Sequence, residues 1–325
     1  MTKKLNWAII GTGGIANEFA SQFDENFANL ASVVSRSQTN ADAFADKYNI
    51  PTAYSNYDDI LNDPTIDIVY IATPHNKHYE YIYKALSMNK HVCCEKVIVL
   101  NNKQLSQLLD MAKAKNLYIF EAMTIHYMPI YSDIKKWINS QDLGPLKMVQ
   151  ANFGSFKNYE DRYFFKKDLA GGALFDIGVY ALNFVRCFLS KQPNDISTHV
   201  VINEHGVDES STIILKNDND ELASIALTFR AKMPKVGIVA YEEGYFTFNQ
   251  YPSSDKVTFT THNGDVKTFE AGSSSKRLSY EVSQISEIIL KGQNNPYIEL
   301  TRDVIEIMDI VRDSWGLEYD DEGIY

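Results

Sequence analysis

"NWAIIGTGGIANEF", residues 6–19, decides the fold. The run Asn6 to Gly11 reads as a strand, and the residues from about Gly14 to Phe27 read as a helix. Between them stands a G-x-G-x-x-A pattern: Gly11, Thr12, Gly13, Gly14, Ile15, Ala16. Glycine-rich turns are common. One that leaves a strand, opens a helix and lies within a βαβ unit marks a pyrophosphate cradle. Gly11 permits the tight turn, Gly13 lets the backbone approach the pyrophosphate, and Ala16 lets helix and strand pack closely. The helix N-terminus adds N–H donors and the positive end of a dipole.

The rhythm that starts here continues to about residue 121. "ASVVS" (31–35), "IDIVYIA" (66–72), "HVCCE" (91–95) and "LYIFEA" (117–122) read as further strands with helical stretches between them. The continuous apolar run at 66–72 is what a strand buried on both faces requires. Such alternation predicts an α/β Rossmann domain, a doubly wound parallel sheet, over 1–121. Beyond it, helical stretches at about 130–140 and 173–189 bracket the strand "KMVQANFGSF". "STHVVI", "STIILK", "LASIALTF", "GYFTFN" and "KVTFTT" follow, with Asn263-Gly264 as a hairpin signal, and helices at about 279–291 and 298–315 close the chain. The expected second domain, 122–325, is α+β with a large, mainly antiparallel open sheet. In "LASIALTF", Ile225, Leu227 and Phe229 share one face, and the small Ser224, Ala226 and Thr228 share the other. The first face calls for helices; the second is free for solvent or a partner.

The end of the second strand chooses the cofactor. A carboxylate there holds the ribose 2′-hydroxyl of NAD, but this chain reads Ser35, Arg36, Ser37. A guanidinium matches a 2′-phosphate, so NADP is favoured over NAD; the alternative is a solvated surface arginine.

Composition narrows the partners. The chain has 325 residues, 45% of them hydrophobic, with 20 Tyr and 17 Phe, enough for two cored domains. A net charge of −11 disfavours nucleic acid and anionic membrane surfaces. The N-terminus lacks the long apolar core of a signal peptide, and no stretch approaches the roughly 20 apolar residues that span a bilayer. Cys93, Cys94 and Cys187 form no CxxC, so no metal is expected. The expectation is a reduced, soluble, cytoplasmic protein acting on a small molecule.

Two places carry chemistry. Glu95 and Lys96 end a buried strand, at the edge where open α/β sheets bind ligands. A buried structural ion pair is the plain alternative. "GGALFDIGVY", 171–180, is apolar except for Asp176 and Tyr180, four residues apart and so on one helix face. Asn183 continues that stripe. Hydride transfer to or from an alcohol also moves a proton. A lysine cation would lower a phenol's pKa from about 10 and make Tyr180 a usable acid/base. The alternative is a tyrosine hydroxyl satisfying a core aspartate.

Together, "GTGGIA", "ATPHNKHYEYIYKAL", the "EK" pair, "FEAM" and "GGALFDIGVY" resemble the Gfo/Idh/MocA oxidoreductases across nearly the whole chain. The branch it is most similar to holds the dimeric dihydrodiol dehydrogenases and glucose–fructose oxidoreductase. The resemblance implies a dehydrogenase acting on CH–OH groups of a sugar, polyol or diol, with Lys96 and Tyr180 as catalytic pair and Asp176 lining the substrate site. It implies that Thr73, Pro74, His75, Asn76 and His78 edge the cofactor cleft, that Glu95 flanks the nicotinamide, that Arg162 lies near the substrate, and that the second-domain sheet forms a homodimer. Val97 stands where the family carries proline, restoring a backbone N–H and freeing φ. Thr124 and His126 stand where the branch carries an aromatic residue and an arginine; the loss of an aromatic wall weakens the case for an aromatic diol and leaves a sugar or polyol open. The rival readings are an NAD-dependent sugar dehydrogenase with tightly held cofactor and a non-catalytic NAD(P)-dependent sensor.

Overall fold

Asn6–Ile10 form β1, and Gly14–Gln22 form α1. The computed structural model describes residues 3–160 and 163–323. The elements that follow are β2 (Asn29–Val34), α2 (Gln38–Tyr48), β3 (Thr52–Tyr54), α3 (Tyr57–Asn62), β4 (Ile68–Ile71), α4 (His75–Ser87), β5 (His91–Glu95), α5 (Asn102–Ala114) and β6 (Ile119–Ala122). All six strands are parallel, in the order β3-β2-β1-β4-β5-β6. This is the order of dinucleotide-binding sheets, with its topological switch between β1 and β4. Every residue of β4 is 0% exposed, as its unbroken apolar run requires. The helix α1 ends at Gln22, short of the expected Phe27, and β3 with α3 had no clear periodic signal because both are so short.

Next come α6 (Thr124–Tyr127), α7 (Pro129–Asn139), β7 (Leu146–Gly154), a π-helical turn (Leu174–Gly178) leading into α8 (Val179–Phe188), β8 (Asp195–Ile202), β9 (Asp208–Lys216), β10 (Leu222–Thr228), β11 (Val236–Tyr241), β12 (Gly244–Asn249), β13 (Lys256–Thr261), β14 (Val266–Glu270), α9 (Arg277–Lys291) and α10 (Ile298–Trp315). The second sheet runs β14-β13-β12-β11-β7-β10-β9-β8, and only its β7–β10 pair is parallel. Ile225, Leu227 and Phe229 are at most 2% exposed, whereas Ser224, Ala226 and Thr228 are half-buried. A Cβ on Gly178 would lie 2.7 Å from Leu227 Cδ1, and one on Gly237 would lie 2.2 Å from the Phe184 ring. The helix α8 therefore presses directly onto β10 and β11.

The compact units are not two contiguous pieces. One holds the residues up to 123 together with Ser275–Ile298; the other holds Thr124–Ser274 with Glu299–Glu322. The reason is α9, which sits beside α1. Arg277 pairs with Glu18 at 2.5 Å, Leu278 N–H donates to Gln22 Oε1, and Trp7 Nε1 donates to Ser286 Oγ at 3.1 Å. One run, Lys167–Phe188, does have the length and apolarity to cross a bilayer, contrary to expectation; 78% of that window is buried, as in a core helix.

Candidate active site

In the first unit the glycine turn has the geometry its sequence demands. Gly11 has φ of +104°, and a Cβ there would lie 2.6 Å from the Ala72 carbonyl oxygen. Only glycine fits. Its N–H donates to Val34 O at 2.9 Å, and Thr12 Oγ1 donates to Ser35 Oγ at 3.2 Å, so the turn is tied to the end of β2. A Cβ on Gly13 or Gly14 would meet nothing within 4 Å. Open space thus stands over the first turn of α1, which has no side-chain cap. Free N–H donors under open space fit a pyrophosphate. Ile15 is half-buried and Ala16 fully buried.

Arg36 and Ser37 are exposed, and Arg36 forms no hydrogen bond or ion pair with any described residue. Its guanidinium is free to meet an anion. On the other side of the switch point, Thr73 and Pro74 lead into α4. The Thr73 hydroxyl is buried with no partner among the described residues, an opening for a ligand's polar group. His75, the first residue of α4, is 4% exposed, and Asn76 is half-buried. His78 is 0% exposed, with Nδ1 2.8 Å from Val97 O and Nε2 2.9 Å from Thr73 O. It braces the Thr73 segment against the turn after β5, and burial lowers its pKa.

Glu95 ends β5 at 7% exposure. Its carboxyl accepts from the Tyr70 hydroxyl, and Tyr70 stacks on Phe19 of α1 at 3.7 Å. Burial raises the Glu95 pKa, against the pull of Tyr70 and Lys96. Close by, Glu281 of α9 is 0% exposed, and neither of its carboxyl oxygens has a partner among the described residues. Burial and then the Glu95 charge push the Glu281 pKa well above its ordinary value. Nothing in the sequence marked Tyr70 or Glu281, since each falls inside an amphipathic or apolar run. Lys96 is the one residue of 92–100 that is not buried. The Lys96–Val97 peptide is cis.

In the second unit "GGALFDIGVY" forms the approach to α8 and its first residues. Across 171–185 every residue is buried except Asp176 and Tyr180. The π-helical turn carries Asp176 and α8 carries Tyr180; π-helical turns recur at functional sites. Phe153 lies 6.1 Å from the Tyr180 ring, and Lys235 Nζ lies 4.4 Å over Phe153. The buried Tyr251 also lies within electrostatic reach of Tyr180. Asn183 leaves the expected stripe. It is 1% exposed and its side chain donates back to Val179 O at 2.9 Å, a bond within its own helix. His126 is 6% exposed, and burial pushes its pKa down to about 3, so it is a neutral imidazole. Thr124 donates to Pro252 O. Arg162 lies outside the described residues. Among the described residues no three His, Cys, Asp or Glu side chains are grouped to hold a metal ion.

Residues 5–123 match the model of an oxidoreductase family with an NAD-binding Rossmann fold, and residues 131–247 match the GFO/IDH/MocA C-terminal domain. The chain belongs to the GFO/IDH/MocA family. It is an NAD(P)-dependent oxidoreductase. Trans-1,2-dihydrobenzene-1,2-diol dehydrogenase of Xenopus tropicalis is 29% identical over 329 residues, covering 96% of this chain and 98% of that protein. The Danio rerio enzyme of the same name is 31% identical over 244 residues, 74% of this chain and 73% of its own length. Among solved structures, aldose-aldose oxidoreductase from Caulobacter crescentus superposes with a TM-score of 0.86 at 20% identity, over 96% of this chain and 97% of that one. A 3-ketoreductase from Actinomadura kijaniata, in complex with NADP and TDP-benzene, gives 0.84 at 18% identity over 96% and 98%. At such identities these two speak for the GFO/IDH/MocA fold alone.

Proposed function

We propose that this GFO/IDH/MocA enzyme transfers a hydride between NADP and a hydroxyl-bearing carbon of a small sugar, polyol or diol. Tyr180 is the general acid/base, Lys96 its electrostatic partner, and Asp176 a hydrogen-bond acceptor for the substrate. The observation that carries this reading is the exposure pattern: in two otherwise buried runs, the residues left open are Lys96, Asp176 and Tyr180. Bound nicotinamide supplies or accepts the hydride. The chain's own residues move the proton. During oxidation the Tyr180 phenolate takes the substrate's hydroxyl proton; during reduction the phenol returns it. Lys96 favours the phenolate by its charge and donates an N–H to the same substrate oxygen. The buried Phe153 and Tyr251 rings pack beside Tyr180 and hold its ring in place. The Gly13–Gly14 turn, the Thr73 hydroxyl and Arg36 hold the nucleotide.

Thermal melting with NADP or NAD, each alone and with D-glucose, D-xylose, levoglucosan or trans-1,2-dihydrobenzene-1,2-diol, tests the reading, followed by turnover assays with the same panel. A ligand at a hundred times its Kd adds about 2.7 kcal/mol of stability, so NADP is expected to raise Tm by several degrees and NAD by less. A protein that neither nucleotide stabilises, with no turnover of any member, would sink the proposal. Turnover with NAD alone would select the NAD-dependent sugar dehydrogenase instead. Nucleotide binding without turnover would favour a sensor.

The chain is also expected to associate through the open face of the second sheet. Pairing register places Met148, Ile214, Leu222 and Tyr245, exposed by 37 to 47%, on the same face as Ser224 and Ala226. Between these side chains the face carries small and polar residues such as Gln150, Asn152 and Thr212, and two such mixed sheets can pack about 10 Å apart in an isologous pair. Light scattering should give a dimer mass, and Ala226→Arg a monomer mass. A monomeric parent, or a dimer that survives the arginine, removes this interface.

A further inference from the structure

The helix that presents Asp176 and Tyr180 has no N-cap of its own: Ala173 precedes the π-helical turn and offers no capping side chain. The cap comes from 34 residues downstream. Asp208, the first residue of β9, is 0% exposed, and its Oδ2 accepts the Leu174 N–H at 2.7 Å. The double glycine ahead of the helix makes room for this approach. Gly172 has φ of +118°, and a Cβ there would lie 2.2 Å from Asp208 Oδ1; one on Gly171 would lie 2.6 Å from Phe164 O. A second clamp closes on the same turn. Tyr319 donates its hydroxyl to Gly171 O at 2.6 Å and stands 5.1 Å from the Phe175 ring. Arg312, 3% exposed, lies over both rings and pairs with Glu322 and Asp309.

We infer that Asp208 is a positioning residue for the reaction: its carboxyl caps the turn that bears Asp176 and so fixes where Asp176 and Tyr180 stand. This rests on the acid/base assignment of Tyr180. Capping by a side chain from another element ties the helix start to the sheet as well as satisfying its free N–H groups. The charged and titratable groups facing Asp208 are Arg312, with its partners Glu322 and Asp309, and Tyr319. Burial pushes the Asp208 pKa from 3.8 up to about 7, against the pull of the Leu174 and Ala173 amides and of Arg312. Oδ1 finds no donor among the described residues, so the charge is poorly compensated. A raised folded-state pKa means that the folded protein binds the proton more tightly. The clamp is fully stable below pH 3.8 and loses stability as pH rises to about 7. Asparagine keeps an oxygen that can accept the Leu174 N–H and carries no charge at any of these pH values.

Three proteins are compared: the parent, Asp208→Asn and Asp208→Ala. The readouts are Tm and amide-exchange protection of residues 173–178 at pH 5, 6 and 7, with kcat and KM for NADP and for the best substrate of the panel above. Parent protection is expected to fall by about tenfold or more relative to Asp208→Asn between pH 5 and 7. Asp208→Ala should lose protection at every pH and about three- to tenfold in kcat, with KM for NADP unchanged and kcat restored in Asp208→Asn. Parallel pH curves for parent and Asp208→Asn would overturn the pH dependence of the clamp; protection of residues 173–178 unchanged in Asp208→Ala, or in Asp208→Ser where the alanine variant does not fold, would overturn the capping geometry. Altered exchange in a folded Asp208→Ala with unchanged kcat would overturn the positioning role. Full activity in Tyr180→Phe would instead defeat the acid/base assignment, and the exchange result would show separately whether the cap exists.

Discussion

Tyr180→Phe is expected to cut turnover by about 10²- to 10⁴-fold while NADP still binds, because a positioned acid/base contributes on that scale. The ring itself is retained, so packing against Phe153 at 6.1 Å persists and only the hydroxyl is lost. Lys96→Ala should fall in the same range, with the pH dependence of the residual rate shifted upward, since the phenol then loses the cation that favours its ionised form. Neither change should unfold the protein: both side chains belong to the open positions of buried runs and neither fills the core. The measurement is steady-state kcat across pH for parent and variants, with cofactor affinity determined separately. A phenylalanine variant whose rate matches the parent at every pH would remove Tyr180 from the chemistry.

Arg36→Ala should weaken NADP binding by about 10- to 100-fold and leave NAD binding nearly unchanged. Charge-assisted hydrogen bonds to a phosphate are worth about 1.5–3 kcal/mol, and only NADP carries the 2′-phosphate. The guanidinium has no internal partner among the described residues, so removing it leaves no buried charge stranded. The exposure of the site also predicts that the parent's NADP affinity weakens with added salt, and that the variant's does so less. Titration of both nucleotides at two ionic strengths decides the matter. Equal losses for NADP and NAD would place Arg36 outside the 2′-phosphate site.

Much of this was legible in the chain. Local rules sufficed for the glycine turn: Gly11 must be glycine because its φ is +104° and Ala72 O crowds it, and a strand–glycine–helix sequence carries that information within a dozen residues. The apolar run of β4 announced burial on both faces, and the alternation in β10 announced one covered face and one open one. The spacing of Asp176 and Tyr180 marked a shared face, and the structure leaves both residues open on it. Such features are periodic or steric, so they depend on neighbours in sequence.

Other features depended on neighbours in space. The sequence carried no sign that α9 completes the first unit beside α1, because an amphipathic helix does not encode which sheet it will cover. Asn183 was expected on the open stripe and is buried, its amide turned back to Val179 O. Nothing in the sequence showed that the two ring nitrogens of His78 would stand within hydrogen-bonding distance of the Val97 and Thr73 carbonyls. Most of all, the double glycine at 171–172 read only as a turn. Its purpose lies in Asp208, a residue with no local pattern to distinguish it, whose carboxyl needs the space that a Cβ at 172 would fill. Backbone conformation and burial follow from composition along the chain. Which polar group caps the turn that bears Asp176 is decided by the tertiary fold, because a hydrogen bond is short-ranged and its two partners need share nothing in sequence.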